Sequence, residues 1–469
     1  MKMPETTLLE KIFGYFKGFQ GIIALTFMCA ILAILSLKFN GLIFIGLLFA
    51  LAAGVVLVSY PFACVPIYYI LLFVRPGDWL PVLEKFRLIL LIVALMGGSF
   101  VVKALVFRNT KIIRNSQLVF IAGILIAIAF SILESYYQSI SLTRFFDMAR
   151  ILVMAFLIAH IVDNYKKFKI TIWSIIVPLT VLSAVNFTLW VTGQKVVDNG
   201  GSSGIAGGFL GDGNDFALAL NCFLPLVVFQ FMATKKFWVR FLTGGIAVTF
   251  LAAVVATYSR GGMLGSIAVF LMAYWFYIWR TKKFRQGIFI GIIVLFFGAM
   301  TLIALAPQAF VDRMSGISDY REDESALGRL DAWRAGLMMF KDQPLFGVGA
   351  GAFSIAYGTK YKPFDAIAAN WREAHSFYFQ AIGELGIFGV FFICGLCFIM
   401  YKQQRSIQHY SFPDPQKQME IHFFADALTT GLVGFLVSGA FLSVTYYPNL
   451  YILSTLTIIL VRVTRDGNQ

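Results

Sequence analysis

The chain has 469 residues, of which 59% are hydrophobic and only 13% charged, with a mean hydropathy of +0.80. Apolar stretches of about 17–25 residues, the length that crosses a bilayer as a helix, recur from end to end, which makes this a polytopic membrane protein and excludes a barrel of short alternating strands. The formal charge of +14 would raise nucleic-acid binding in a soluble protein, but here the orientation of the loops has first claim on it.

The opening "MKMPETTLLEKIFGYFKGFQ" reads as an amphipathic lead-in to a retained first span, with no cleavable signal peptide evident. Spans follow at about 20–37, 40–58 and 60–75, each long enough to be helical in lipid. Pro61 and Pro66 give the third an alternative reading as a broken or re-entrant segment. Further spans are expected at about 86–105, 117–134, 147–163 and 169–192, then at 215–233, 239–258, 262–280 and 286–306. After the long segment 307–375 the last three are expected at about 376–400, 423–443 and 447–463. The expected fold is therefore all-α, with about 12–14 transmembrane helices. It divides into N-terminal membrane helices (1–200), membrane helices carrying "YSRGG" (201–306), a large loop (307–375) and C-terminal membrane helices (376–469).

Loop charges orient these spans. "KALVFRNTKIIR", "DNYKKFK", "ATKKFWVR", "WRTKKFRQ" and "KQQRSIQHYSFPDPQK" are basic and fall at alternate junctions. Their side is expected to be cytoplasmic and to receive both termini. The other side collects "RPGDWLPVLEKFR", "ESYYQSISLTRFFDMAR", "GQKVVDNGGSSGIAGGFLGDGND", "YSRGG", the 307–375 loop and "TYYPN". With eight Lys/Arg and nine Asp/Glu, that loop is nearly neutral. The excess positive charge is thus mostly an orientation signal, and no nucleic-acid partner is needed.

The 307–375 segment is too long for a plain connector. "DESALGRLDAWRAGLMMFKD" reads as a helix, with Asp323 or Ser325 at its start and Leu327, Leu330, Trp333 or Arg334, and Leu337 at helical spacing. "QPLFGVGAGAF" then breaks it with Pro344 and three glycines. Cys29, Cys64, Cys222, Cys394 and Cys397 lie in apolar runs and read as small buried hydrophobes; the C-x-x-C of Cys394 and Cys397 has no ligand set nearby.

Of four histidines, His160, His409 and His422 fall at the basic side, and His375 alone falls at the outer one. An imidazole suits proton transfer near neutral pH, although a lone interfacial histidine often only meets headgroups. Arg260, Arg329, Arg334 and Arg372 share the outer side. The guanidinium fork matches phosphate oxygens, whereas snorkelling to the interface is the plainer role for each one singly. No P-loop, H-E-x-x-H or Cys/His metal set is present. The inventory suits a phosphate-bearing substrate and a base that activates an acceptor. Two other classes compete: a lipid-linked oligosaccharide flippase, which should show inverted repeats and midplane polar residues, and a scaffold whose arginines only anchor.

"YSRGG", "GRLDAW" with "DQPLFGVGAGAF", and "AHSFYFQAIGELGIFG" occur in the order that resembles the O-antigen ligase/O-antigen polymerase superfamily of bacterial membrane glycosyltransferases. "GIAGGFLGDGNDFALAL" is similar to an Asn-containing segment of that family, and the likeness runs over about residues 200–400. One departure is Ser376, where the family commonly has Asn after the histidine. The resemblance implies a GT-C-like membrane fold with short helices in one large periplasmic loop, in the bacterial inner membrane. It implies transfer of a glycan from undecaprenyl diphosphate to a glycan or lipid A-core acceptor, with protein acceptors in some relatives. Neither cofactor nor metal is implied, and the only other partners are membrane lipids. Carried over, Arg260 and Arg329 would grip the diphosphate and His375 would be the general base. Asn214, Asp215, Arg334 and Arg372 become possible substrate contacts. Asn214 and Asp215 read equally as a helix cap. Arg334 lies five residues from Arg329, about 140° round a helix, so the two should not face one ligand. Glu384, nine residues past His375 and so about 13 Å deeper along a continuous helix, reads as a buried structural carboxylate.

Overall fold

The computed structural model describes residues 60–107, 112–193, 197–198, 201–202, 208–281, 324–364 and 371–466, together with the single residues 57 and 366. The expected spans at 20–37 and 286–306, the loop from 307 to 323, and all but one residue of 40–58 lie outside them. The chain forms two compact units, one of residues 1–72 and 80–112 and the other of 73–79 and 113–469.

In the first unit, a single turn Pro61–Ala63 leads into α1 (Cys64–Val74), whose last two residues belong to the second unit, and α2 covers Leu88–Phe107. At 11 residues α1 is about 16 Å long, short of the bilayer core, which favours the interrupted reading of this segment.

The second unit holds α3 (Ser116–Ser131), α4 (Gln138–Ile161), α5 (Tyr165–Val191), α6 (Gly213–Ala233), α7 (Phe237–Ala256) and α8 (Arg260–Thr281). It continues with α9 (Glu324–Asp342), α10 (Phe377–Ser406), α11 (Pro415–Gly439) and α12 (Pro448–Asp466). A minimal ladder pairs Val197 with Ser202 and Asp198 with Gly201. Among the described residues, seven helices are long and apolar enough to cross a membrane. The protein is thus an all-α polytopic membrane protein.

The helices at the centre are apolar all round, as burial on every side requires. In α6 every side chain from Asp215 to Val227 is buried, and in α11 every one from Ile421 to Leu432. These two pack together with α8 against both. Asn221 on α6 joins all three: its amide donates to Gly262 O (2.7 Å) and Ser438 Oγ (3.0 Å), and its oxygen accepts from Ser266 Oγ (2.7 Å). The approach is close enough that a Cβ on Gly434 would come within 2.6 Å of Asn221 O. At one end of this unit, Asp426 of α11 receives Arg280 of α8 at 2.5 Å and Arg405 of α10 at 3.3 Å. His160, His409 and His422 lie at that end, and His375 at the other.

The 30-residue helix α10 is broken. Gly386 has φ 59° and ψ −158°, outside helical geometry. The backbone groups this frees are taken up by the glycine-rich loop after α9. Ile387 N–H donates to Pro344 O (2.9 Å), and Val348 N–H donates to Gly383 O (2.9 Å). Glu384 completes the joint. Its Oε2 accepts from Gly351 N–H (2.8 Å) and Tyr446 O–H (2.7 Å), and its Oε1 from Phe353 N–H (3.3 Å). Glu384 is buried as the sequence implies, but it sits on the short piece before the break and not deep in one continuous span. Irregular backbone is tolerated at such a place because protein surrounds it and satisfies it.

Helix α9 follows the sequence reading in extent but not in face. Ala332, Ala335 and Met339 are fully buried, whereas Leu330 and Leu337 are exposed. Small residues let α9 lie close on α10, with Gly336 against the backbone of Phe379. In a membrane protein an outward leucine need not meet water, so apolar spacing alone does not mark the packed face.

Candidate functional site

The site forms at the end of the second unit where α6, α8, α10 and α12 begin and α11 ends. Residues 371–376 lead into α10, and His375 within them has φ 45°, the left-handed region that a non-glycine residue adopts at a cost of about 1–3 kcal/mol. Its N–H donates to Ser443 Oγ at 2.9 Å. Ser443 belongs to the segment 440–447 joining α11 to α12, which is tied down repeatedly. Thr445 N–H donates to Gln380 Oε1 (3.1 Å), Tyr446 O–H to Glu384, and Tyr447 O–H to Asp215 Oδ2 (3.1 Å). This strap fixes the backbone of His375 from outside its own helix.

The imidazole is partly exposed. Burial, then the positive charges of Arg329 and Arg372, push its pKa down to about 4, with Asp212 acting the other way. It is therefore neutral at pH 7 and able to accept a proton. Arg372 lies across Gly328 of α9, where a Cβ would collide with its guanidinium. The glycine of "GRLDAW" thus makes room for one arginine, and the residue after it supplies the second.

Arg260 opens α8. Tyr258 before it has φ 56°, and Ser259 Oγ accepts from Gly262 N–H at 2.9 Å, which caps the helix. A Cβ on Gly261 would sit 3.1 Å from Phe441, two residues before the serine that holds His375. The structure thus gathers Arg329, Arg372 and His375 and sets Arg260 at the same end, against the strap. Arg334 is not gathered: its side chain is 63% exposed and paired with Asp331 at 3.8 Å. The cap of α6 is neither Asn214 nor Asp215 but Asp212, which accepts from Asn214 N–H at 2.6 Å and from Asn214 Nδ2 at 2.7 Å. Asp215 instead lies buried under Tyr447.

Several participants escape a sequence reading. Asp212 acts on His375, and Ser443, Tyr446 and Tyr447 build the strap. Arg144 on α4 lies alongside Gly351, with its guanidinium carbon 5.9 Å from the centre of the Tyr446 ring. Glu373 is exposed yet crowded enough by protein that its carboxyl is pushed above the usual range, with Arg144 opposing that shift. Their only shared sequence signal is that they fall at the junctions opposite the basic loops. Among the described residues no group of three or more His, Cys, Asp or Glu could hold a metal ion.

Residues 245–394 match the family described as O-Antigen ligase. That stretch contains Arg260, Arg329, Arg372, His375 and the break in α10; Arg144, Asp212 and the strap lie outside it. No curated protein matches the chain.

Proposed function

We propose, from the O-antigen ligase domain carried by residues 245–394, that this membrane protein transfers a glycan from undecaprenyl diphosphate to an acceptor hydroxyl on the periplasmic face. The observation that carries the reading is the grouping of a neutral, backbone-strained His375 with Arg329 and Arg372 inside that domain. His375 accepts the acceptor's hydroxyl proton as the new oxygen–carbon bond forms at the anomeric centre. The anomeric carbon–oxygen bond to the diphosphate breaks, and undecaprenyl diphosphate leaves with the electron pair, most simply with inversion. Arg260 and Arg329 bind the diphosphate and offset the charge that grows on it, a service a metal performs in many transferases.

The electrostatics suit this order of events. With a pKa near 4 the imidazole is a weak base in the free protein. A diphosphate bound by the arginines cancels part of the field that holds it down, so donor binding strengthens the base. Asn214 and Arg372 remain substrate contacts in this reading, whereas Asp215, buried and engaged by the Tyr447 hydroxyl, does not. Arg334, turned to solvent, contributes least.

The test is replacement of the protein in cells by Arg260→Gln, Arg329→Gln and His375→Gln, each checked for normal membrane abundance. The expected result is loss of glycan transfer with carrier-linked glycan accumulating on the outer face. Full glycan assembly by all three variants would exclude the proposal. Precursor trapped on the cytoplasmic side would point to a flippase. The material that accumulates also identifies the acceptor class. Long chains left on the carrier indicate a ligase to lipid A-core, single repeats already attached indicate a polymerase, and unglycosylated protein indicates a protein O-glycosylation ligase.

A further inference from the structure

We propose that Ser443 positions the acceptor sugar as well as the base: its oxygen holds the backbone of His375, and its hydroxyl proton is donated to an acceptor oxygen beside the hydroxyl that His375 deprotonates. This rests on the transferase reading above. The contact with the base is direct. Ser443 Oγ lies 2.9 Å from His375 N and accepts its N–H. The His375 side chain begins two bonds from that nitrogen, so the serine hydroxyl and the imidazole share one small region.

A serine hydroxyl carries one proton to donate and two lone pairs. With a lone pair turned to the N–H of His375, the proton of Ser443 points away from that nitrogen. Among the described residues nothing accepts it, and Ser443 is partly exposed, so a ligand can reach it. The hydroxyls next to it in the chain or beside the base are committed or enclosed. Those of Tyr446 and Tyr447 donate to Glu384 and Asp215, and Ser376 and Thr445 are buried. Accepting the backbone N–H also polarises the Ser443 hydroxyl and strengthens it as a donor.

The strap offers this hydroxyl from a fixed point. Two residues before it, Phe441 lies 3.1 Å from where a Cβ on Gly261 would be, against the first turn of α8. Beyond it, Thr445 N–H is held by Gln380 and Tyr446 by Glu384, both on α10, and Tyr447 by Asp215 on α6. Ser443 is thus tied to three helices through its neighbours, and little freedom is lost when a substrate binds it. A neutral hydroxyl donor suits a ring or hydroxyl oxygen of a sugar, while Arg260 and Arg329 take the charged diphosphate. One side chain would then set both the base and the hydroxyl on which it acts. Ser443 lies outside the matched residues 245–394, so acceptor handling draws on a part of the chain beyond them.

The test is steady-state transfer by the full-length protein in nanodiscs. The substrates are the carrier-linked glycan and the acceptor glycolipid that accumulate in cells lacking the protein, each varied in turn. Ser443→Ala is expected to lower kcat/KM for the acceptor about tenfold, the scale of one lost hydrogen bond, with a raised acceptor KM and a donor KM changed less than about twofold. Ser443→Thr keeps the hydroxyl and should stay within about threefold of the wild type. A purely structural role would raise both KM values. Wild-type acceptor kinetics in Ser443→Ala overturn the proposal, as do equal rises in the two KM values or a threonine variant as impaired as the alanine one. Failure of the transferase reading looks different: the wild type itself would then consume no donor, and the acceptor contact would fall with it.

Discussion

His375 is legible in the sequence as the one histidine at the end away from the basic loops, but its strength as a base is not. Burial, Arg329 from α9 and Arg372 three residues before it hold its pKa near 4. A lowered pKa keeps the imidazole neutral as pH falls, so kcat/KM for the donor, which reports the free enzyme, should hold through pH 6 and fall only toward pH 4. An acid limb centred near 6.5 in that profile would contradict this environment. Arg329→Gln removes one of the causes, so the His375 titration followed by NMR should move upward. The same substitution should cost about 10²–10³ in kcat, the scale for losing one donor to a developing negative charge. Arg334→Gln, at an exposed position already paired with Asp331, should change the rate less than about threefold. The five-residue spacing of Arg329 and Arg334 separates their roles on the helix in the sequence itself. Ser443, Tyr446 and Tyr447 could not be read out because their role comes from contacts distant in sequence, and single polar residues in a loop carry no pattern of their own.

Among the elements, the break in α10 matters most. The sequence shows an apolar run containing a glycine, and nothing local tells a packed glycine from one at positive φ. The structure requires it, because a side chain at Gly386 would meet both an unfavourable φ and the carbonyl of Leu345. Gly386→Ala should therefore destabilise the protein by at least about 1–2 kcal/mol, measured by thermal unfolding in detergent. Unchanged stability would mean the break is not a fixed feature. Glu384 holds the same joint from the other side. Glu384→Ala leaves two loop N–H groups and the Tyr446 hydroxyl without their acceptor, at about 3 kcal/mol or more. Glu384→Gln should cost less, since one oxygen remains. For α9 the length was legible from its periodicity and the proline and glycines after it, but its face was not. Leucines define a core only where the alternative is water, and here Gly328, Ala332, Ala335 and Gly336 make the contact.

The whole molecule was legible at the level of fold class and of which residues share an end. Apolar length gives membrane helices, and alternation of basic loops places Arg260, Arg329, Arg372 and His375 at one end, where the described helices also put them. What is global in the site was hidden, namely a strap from the last loop bearing on the base and an arginine from the first half beside it. The central claim is that this end of the molecule breaks the bond between a glycan and its lipid diphosphate and passes the glycan to a hydroxyl. It is tested most directly by reconstituting the full-length protein with the carrier-linked glycan and acceptor that accumulate in cells lacking it, and measuring undecaprenyl diphosphate released against acceptor extended. The account predicts equal amounts of both products from the wild type, and neither from His375→Gln although it still binds the lipid diphosphate. Wild-type turnover by His375→Gln, or donor moved across the bilayer with its glycan still attached, would contradict it.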